Sequence, residues 1–142
     1  MSLKKNRFSK KNINFMRLAL NLASQRIGFT GTNPSVGCVI VKNNEIISIG
    51  QTSDNGRPHA EINAIKNTRK NLKNSTIYIS LEPCSHYGKT PPCTKAIIKS
   101  KIKKVFYAID DIDHRSSKKA YSILKQKKIS VEKNLLKKEA KN

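Results

Sequence analysis

His59, Glu61, Cys84 and Cys93 are the residues of this chain whose types and spacing could do chemistry. They fall in two short stretches, Pro58-His59-Ala60-Glu61 and Glu82-Pro83-Cys84-Ser85-His86-Tyr87-Gly88-Lys89-Thr90-Pro91-Pro92-Cys93. One imidazole and two thiols are usual donors to a zinc ion, and three protein donors leave a fourth position for water, the layout of a catalytic site. Glu61, two residues past the histidine, is not needed as a ligand and is available to move protons to and from that water. Two thiolates and a neutral imidazole cancel the charge of Zn²⁺. Water on such an ion has a pKa near ~7 rather than about 15.7, so a hydroxide nucleophile exists at neutral pH.

The rival reading of the same residues is a closed structural zinc site with His86 as fourth ligand, which would leave Glu61 without a purpose. A Cys84–Cys93 disulfide is disfavoured in a reducing compartment, and three cysteines is an odd count. Cys38 lies in the apolar run Val36-Gly37-Cys38-Val39-Ile40-Val41 and reads as a small buried hydrophobe. His86 otherwise reads as loop-shaping or substrate-side, and His114 as a surface residue.

The elements that must position these groups follow from periodicity. Residues 1–12 read as a basic N-terminal arm and 13–142 as one domain. Asn14–Ile27 predicts a helix, with Phe15, Leu18, Leu22, Ala19 and Ala23 at helical steps. Strands are expected over 36–41 and 46–50, joined by a turn at 42–45, then over 76–81, 105–109 and 129–132. Pro58 suits the first turn of a helix running to about Lys70, with Ile62 and Ile65 inward. Further helices are expected from Pro91 or Pro92 to Ser100 and from Ser117 to Lys127. The tail from Lys133 reads as basic and frayed. Alternating strands and helices after an opening hairpin predict an α/β layer architecture around a mixed sheet. His59 and Glu61 at one helix tip and Cys93 at another, with Cys84 at a strand end, can converge on one point. Both helix N-termini would aim partial positive charge there, favouring the thiolate form of Cys93 and hydroxide over water on the metal.

The net charge is +20, with 23 lysines and six arginines. The lysines are spread along the chain, and arginine, the better residue for forked phosphate recognition, is scarce, so nucleic acid is disfavoured as the substrate. The positive field favours a small phosphorylated substrate over a cationic one. No apolar run approaches the ~20 residues of a membrane span, and no apolar block follows the basic start, so no membrane partner and a cytoplasmic location are expected.

His-x-Glu, Pro-Cys and a second Cys together resemble the zinc-dependent cytidine and deoxycytidylate deaminase superfamily. Eight residues separate the cysteines here, Ser-His-Tyr-Gly-Lys-Thr-Pro-Pro. With Asn33-Pro34-Ser35-Val36-Gly37-Cys38, that loop is similar to the deaminase branch of riboflavin biosynthesis, over about Asn14 to Val131. The resemblance implies a three-layer cytidine-deaminase-like α/β fold, a mixed sheet of about five strands flanked by helices. It implies Zn²⁺ on His59, Cys84 and Cys93, and Glu61 as proton shuttle. It also implies substrate contacts from Asn33, Lys89 and Asp111. The implied reaction is hydrolytic loss of the 2-amino group of 2,5-diamino-6-(5-phosphoribosylamino)pyrimidin-4(3H)-one. A homo-oligomer, dimer or tetramer, and a separate reductase acting on the product are implied as well. Asp111-Ile112-Asp113-His114, Lys118-Lys119-Ala120 and Thr52 depart from the family pattern, on the expected sugar-phosphate side. Deamination of another nucleobase or nucleotide, and a non-enzymatic zinc module that binds RNA, are the alternatives.

Overall fold

The computed structural model describes residues 7–141. Its centre is a five-stranded mixed sheet in the order β2-β1-β3-β4-β5, built from β1 (Gly37–Lys42), β2 (Glu45–Gln51), β3 (Thr76–Ile79), β4 (Lys104–Tyr107) and β5 (Ser130–Lys133). β1 pairs antiparallel with both β2 and β3, whereas β3–β4 and β4–β5 are parallel. The β1–β2 hairpin closes through Asn43 and Asn44, both at left-handed φ (52° and 67°). Asparagine tolerates that region, and the resulting turn matches the twist of the strands.

Both faces of the sheet are covered, as the nearly continuous apolar run of β1 requires. Cys38, Ile40, Ile77 and Ile79 pack into one core with Ala60 and Ala64 of α2 (Ala60–Lys66), Ile97 of α3 (Cys93–Lys99) and Leu124 of α4 (Ala120–Gln126). Val39, Val41, Tyr78 and Phe106 pack into the other with Met16, Ala19 and Leu22 of α1 (Lys10–Ser24). Tyr78 and Phe106 stack there with ring centroids 4.8 Å apart. The result is the three-layer α/β architecture expected from the sequence. Among the described residues no helix is long and apolar enough to cross a membrane.

Several elements differ from their expected bounds, each for a local reason. α1 begins at Lys10 rather than Asn14, because Ser9 caps it by accepting from Asn12 N (3.2 Å). Of the stretch read as an arm, residues 1–6 lie outside the described residues. Arg7 donates to the Lys133 carbonyl (2.8 Å), and Phe8 packs edge-on against Phe106. α2 stops at Lys66 instead of about Lys70. Asn67, Thr68 and Asn71 turn their side chains onto Ile49 O, Lys70 N and Lys73 N, bonds that compete with continued helix. Pro58 precedes α2 rather than opening it, since His59 is the extended N-cap residue. The buried face of α2 is Ala60, Glu61 and Ala64, with Ile62 and Ile65 only partly covered. α4 starts three residues later than expected because Lys118 takes a left-handed φ of 63°. The C-terminal tail is not frayed as expected. Leu135 is fully buried, and α5 (Lys137–Ala140) is joined to α1 through Glu139 and Arg17 (3.2 Å).

Small residues on α2 matter because the helix lies directly on β2. A methyl group at Gly50 would run into the Ala60 carbonyl oxygen and come within 2.6 Å of Ala64 N. Gly50→Ala is therefore expected to destabilise the fold by about 1–3 kcal/mol through overpacking. An unchanged urea midpoint would show that α2 is not seated on that strand.

Candidate active site

The chain leaving β3, the central strand of the sheet, meets the N-terminal ends of α2 and α3. His59, as N-cap of α2, has an extended backbone (φ −68°, ψ 161°) and no side-chain capping bond. Its ring is left to face the loop after β3. That loop carries Cys84, and Pro92 caps α3 so that Cys93 is its first residue. His59 Nδ1 lies 3.8 Å from Cys84 Sγ and 3.5 Å from Cys93 Sγ, and the three donor atoms lie within 4.8 Å of one another. Zinc bonded tetrahedrally to sulfur and nitrogen would set those N···S edges at about 3.6 Å, so the donor set fits the ion in type and spacing. Among the described residues this is the only such His/Cys/Asp/Glu group. His86 stands outside it, with Nδ1 against Ser116 Oγ. All three cysteines are free thiols.

The electrostatics of the cluster are those of an anionic nest. Cys84 accepts from the Cys93 thiol, from His59 and from Cys93 N–H (3.1 Å), and these bonds hold its thiol at about 4 in spite of burial. The same thiolate pushes the Cys93 thiol up, with burial adding to it. It also raises His59 against the opposing effect of burial. Glu61 is 4% exposed, and burial, then the Cys84 thiolate, lift its carboxyl to about 7. Cys38 behaves as the buried hydrophobe expected: desolvation, then Glu61, raise its thiol well above the ordinary value.

A cleft of about 540 Å³ opens over His59, Glu61 and Cys84. Asn33 lines one wall, its amide fixed by donation from Nδ2 to Gly56 O (3.0 Å). Thr52 lies deep in the same wall, 1% exposed, with its hydroxyl accepting from Val36 N (2.9 Å). The opposite wall is the segment Asp111–Arg115, and Ile112 at its lip is 92% exposed. Asp111 accepts from Asp113 N (3.1 Å), and Asp113 is held well below the usual carboxylate range by Arg115. Lys89, expected on the substrate side with Asn33 and Asp111, is exposed in the 85–92 loop and is not part of the cleft wall. His114 is exposed, as its reading as a surface residue expects, and stands at the cleft.

Two residues that organise this wall are not singled out by the sequence. Glu82, 2% exposed, accepts from the backbone N–H groups of Asp111 (3.0 Å), Lys118 (2.9 Å) and Ala120 (3.0 Å). Ser116, fully buried, accepts from Ser85 N (3.1 Å) and contacts His86. The only sequence signal for Glu82 is a carboxylate directly after an apolar strand, which is too common to stand out.

The model of the cytidine and deoxycytidylate deaminase zinc-binding region matches residues 9–109. A riboflavin biosynthesis protein RibD of Aquifex aeolicus is 43% identical over 89% of this chain and 36% of its own. A diaminohydroxyphosphoribosylamino-pyrimidine deaminase of Buchnera aphidicola is 44% identical over 89% of this chain and 86% of its own. The chain thus spans about a third of the length of the RibD relatives and most of the Buchnera protein. Among solved structures, a deaminase/reductase of Thermotoga maritima superposes with a TM-score of 0.88 at 38% identity, covering 92% of this chain and 38% of that one.

Proposed function

This chain belongs to the cytidine and deoxycytidylate deaminase zinc-binding family, and from that premise we propose that it hydrolyses the 2-amino group of 2,5-diamino-6-(5-phosphoribosylamino)pyrimidin-4(3H)-one, releasing ammonia and the 5-aminouracil product. The observation that carries this reading is the convergence of His59, Cys84 and Cys93, with the buried Glu61 outside that donor group and, like His59 and Cys84, lining one cleft. The 44% identity to a relative of similar length named for that substrate supports the choice of pyrimidine.

His59, Cys84 and Cys93 would hold Zn²⁺, which when bound makes water a nucleophile near neutral pH. Glu61 would accept the proton that this water gives up and deliver it to a ring nitrogen. It would then take a second proton, from the hydroxyl newly attached to the ring carbon, and pass it to the departing amine, leaving a carbonyl and ammonia. A carboxyl raised towards neutrality by burial and a neighbouring thiolate is suited to both directions of transfer. Asn33, with its amide already oriented by Gly56, would hold the pyrimidine. Asp111 would face the ribose phosphate end. Lys89 would reach the substrate only from the exposed loop above the cleft.

The same reading makes the protein a cytoplasmic homo-oligomer, dimer or tetramer. It acts on a small phosphorylated pyrimidine rather than on RNA, and its product passes to a reductase. Ammonia release is to be measured side by side on the phosphoribosylaminopyrimidine, cytidine, deoxycytidylate, guanine and tRNA with zinc-loaded protein. The expected result is a kcat/KM for the first at least about 100-fold above the rest. Turnover of deoxycytidylate or tRNA in its place would replace the substrate while keeping the reaction. RNA binding with no turnover of any of them would remove the reaction as well.

A further inference from the structure

We infer that Glu82 and Ser116 are positioning residues that hold the substrate wall of the cleft, Asp111–Arg115, in register with the segment carrying Cys84. Glu82 lies two residues before Cys84, and its own N–H is bound by Ile109 O (2.8 Å) at the end of the neighbouring strand. Its buried carboxylate meets no cation among the ion pairs of the described residues. It is instead satisfied by three backbone N–H groups, those of Asp111, Lys118 and Ala120.

These donors bracket the wall: one stands at its start, and two stand where it runs into α4. The N-cap residue of α4, Lys119, has helical angles and offers no side-chain cap, so Glu82 does that work from 38 residues away. Inside the bracket the chain closes on itself, with Ser116 N and Ser117 N on Asp113 O and Lys119 N on Ser116 O. The wall is a compact unit fastened at its two ends by one carboxylate.

Ser116 makes the second fastening. Its hydroxyl accepts from Ser85 N, next to Cys84, and also contacts His86 Nδ1, whose ring lines the cleft. A hydroxyl in those two contacts fixes the orientation of that ring. Glu82 borders the cleft, but both its carboxylate oxygens are taken up by backbone N–H groups, and Ser116 is fully buried, so both act through the residues they hold.

The role rests on the proposed deamination, and two kinds of measurement keep the two ideas apart. In Glu82→Gln one carboxylate oxygen becomes an NH₂, so at least one of the three backbone N–H groups faces a donor. KM for the phosphoribosylaminopyrimidine is expected to rise about tenfold, with kcat within about threefold of wild type and zinc content unchanged. Ser116→Ala, the milder change, is expected to move KM the same way by a smaller factor, and Glu82→Asp to fall between wild type and Glu82→Gln. A drop in kcat at constant KM, or an unchanged KM, in a folded variant overturns the inference. Amide hydrogen exchange on the wild-type protein needs no substrate. Asp111, Lys118 and Ala120 should exchange together and more slowly than Ile112 and His114 between them. Independent exchange of the three at exposed-loop rates overturns the inference even if the deamination stands, whereas joint protection with no ammonia release leaves the wall in place and removes only the reaction.

Discussion

Glu61→Gln is expected to retain zinc at the wild-type stoichiometry while ammonia release falls by at least ~100-fold, and by up to ~10,000-fold if no other group can move the proton. The amide has nearly the shape of the carboxyl, so the floor of the cleft keeps its packing. Glu61 is not one of the three donors within reach of a shared ion, so the metal should stay. What disappears is a group able to take up a proton and give it back. Substitution by solvent is hindered, because Glu61 is only 4% exposed. Binding need not suffer, so KM is expected to change far less than kcat, the signature of an interaction made chiefly in the transition state. Wild-type turnover in this variant would remove Glu61 from the proton path. Loss of zinc from it would instead make Glu61 part of the metal's own support.

The three donors and Glu61 were legible in the sequence because each sits at the tip of an element whose period is plain. Pro58 and Pro92 mark the approaches to α2 and α3, and the apolar run at 76–81 ends just before Cys84. The five strands were legible for the same reason, their apolar runs being bounded by turn residues. The parts that differ depend on partners far away in sequence. Ala60 and Ala64, rather than Ile62 and Ile65, face inward because α2 must lie against Gly50, which no local pattern reports. Leu135 is buried in the core that α1 covers, although three of the seven residues after it are lysines. Glu82 meets its donors 29, 36 and 38 residues downstream, and His86 meets Ser116 after 30. A reading built on windows of a few residues sees periodicity and caps, but not a carboxylate that caps a helix across the sheet.

Cys84→Ala should have the widest consequences of any single change at the site. It removes the thiolate that pulls His59 and Cys93 together and accepts Cys93 N–H (3.1 Å), and it leaves two protein donors where three are needed for tight binding. Zinc content measured by atomic absorption is expected to fall from about one per chain to near zero, with deamination at background. Stability should fall too, since an ion that binds only the folded chain stabilises it by about 2.7 kcal/mol at a free concentration 100 times Kd and about 4.1 kcal/mol at 1,000 times. A chelator should therefore lower the thermal midpoint of the wild type and leave that of Cys84→Ala almost unmoved. Cys38→Ala is the control, because Cys38 is a more deeply buried cysteine that lies outside the donor set, and its zinc content should match the wild type. A full equivalent of zinc in Cys84→Ala, or a chelator effect of equal size in both proteins, would mean that the ion is held elsewhere. Glu61 would then have no activated water beside it, and the cleft would need a different chemistry.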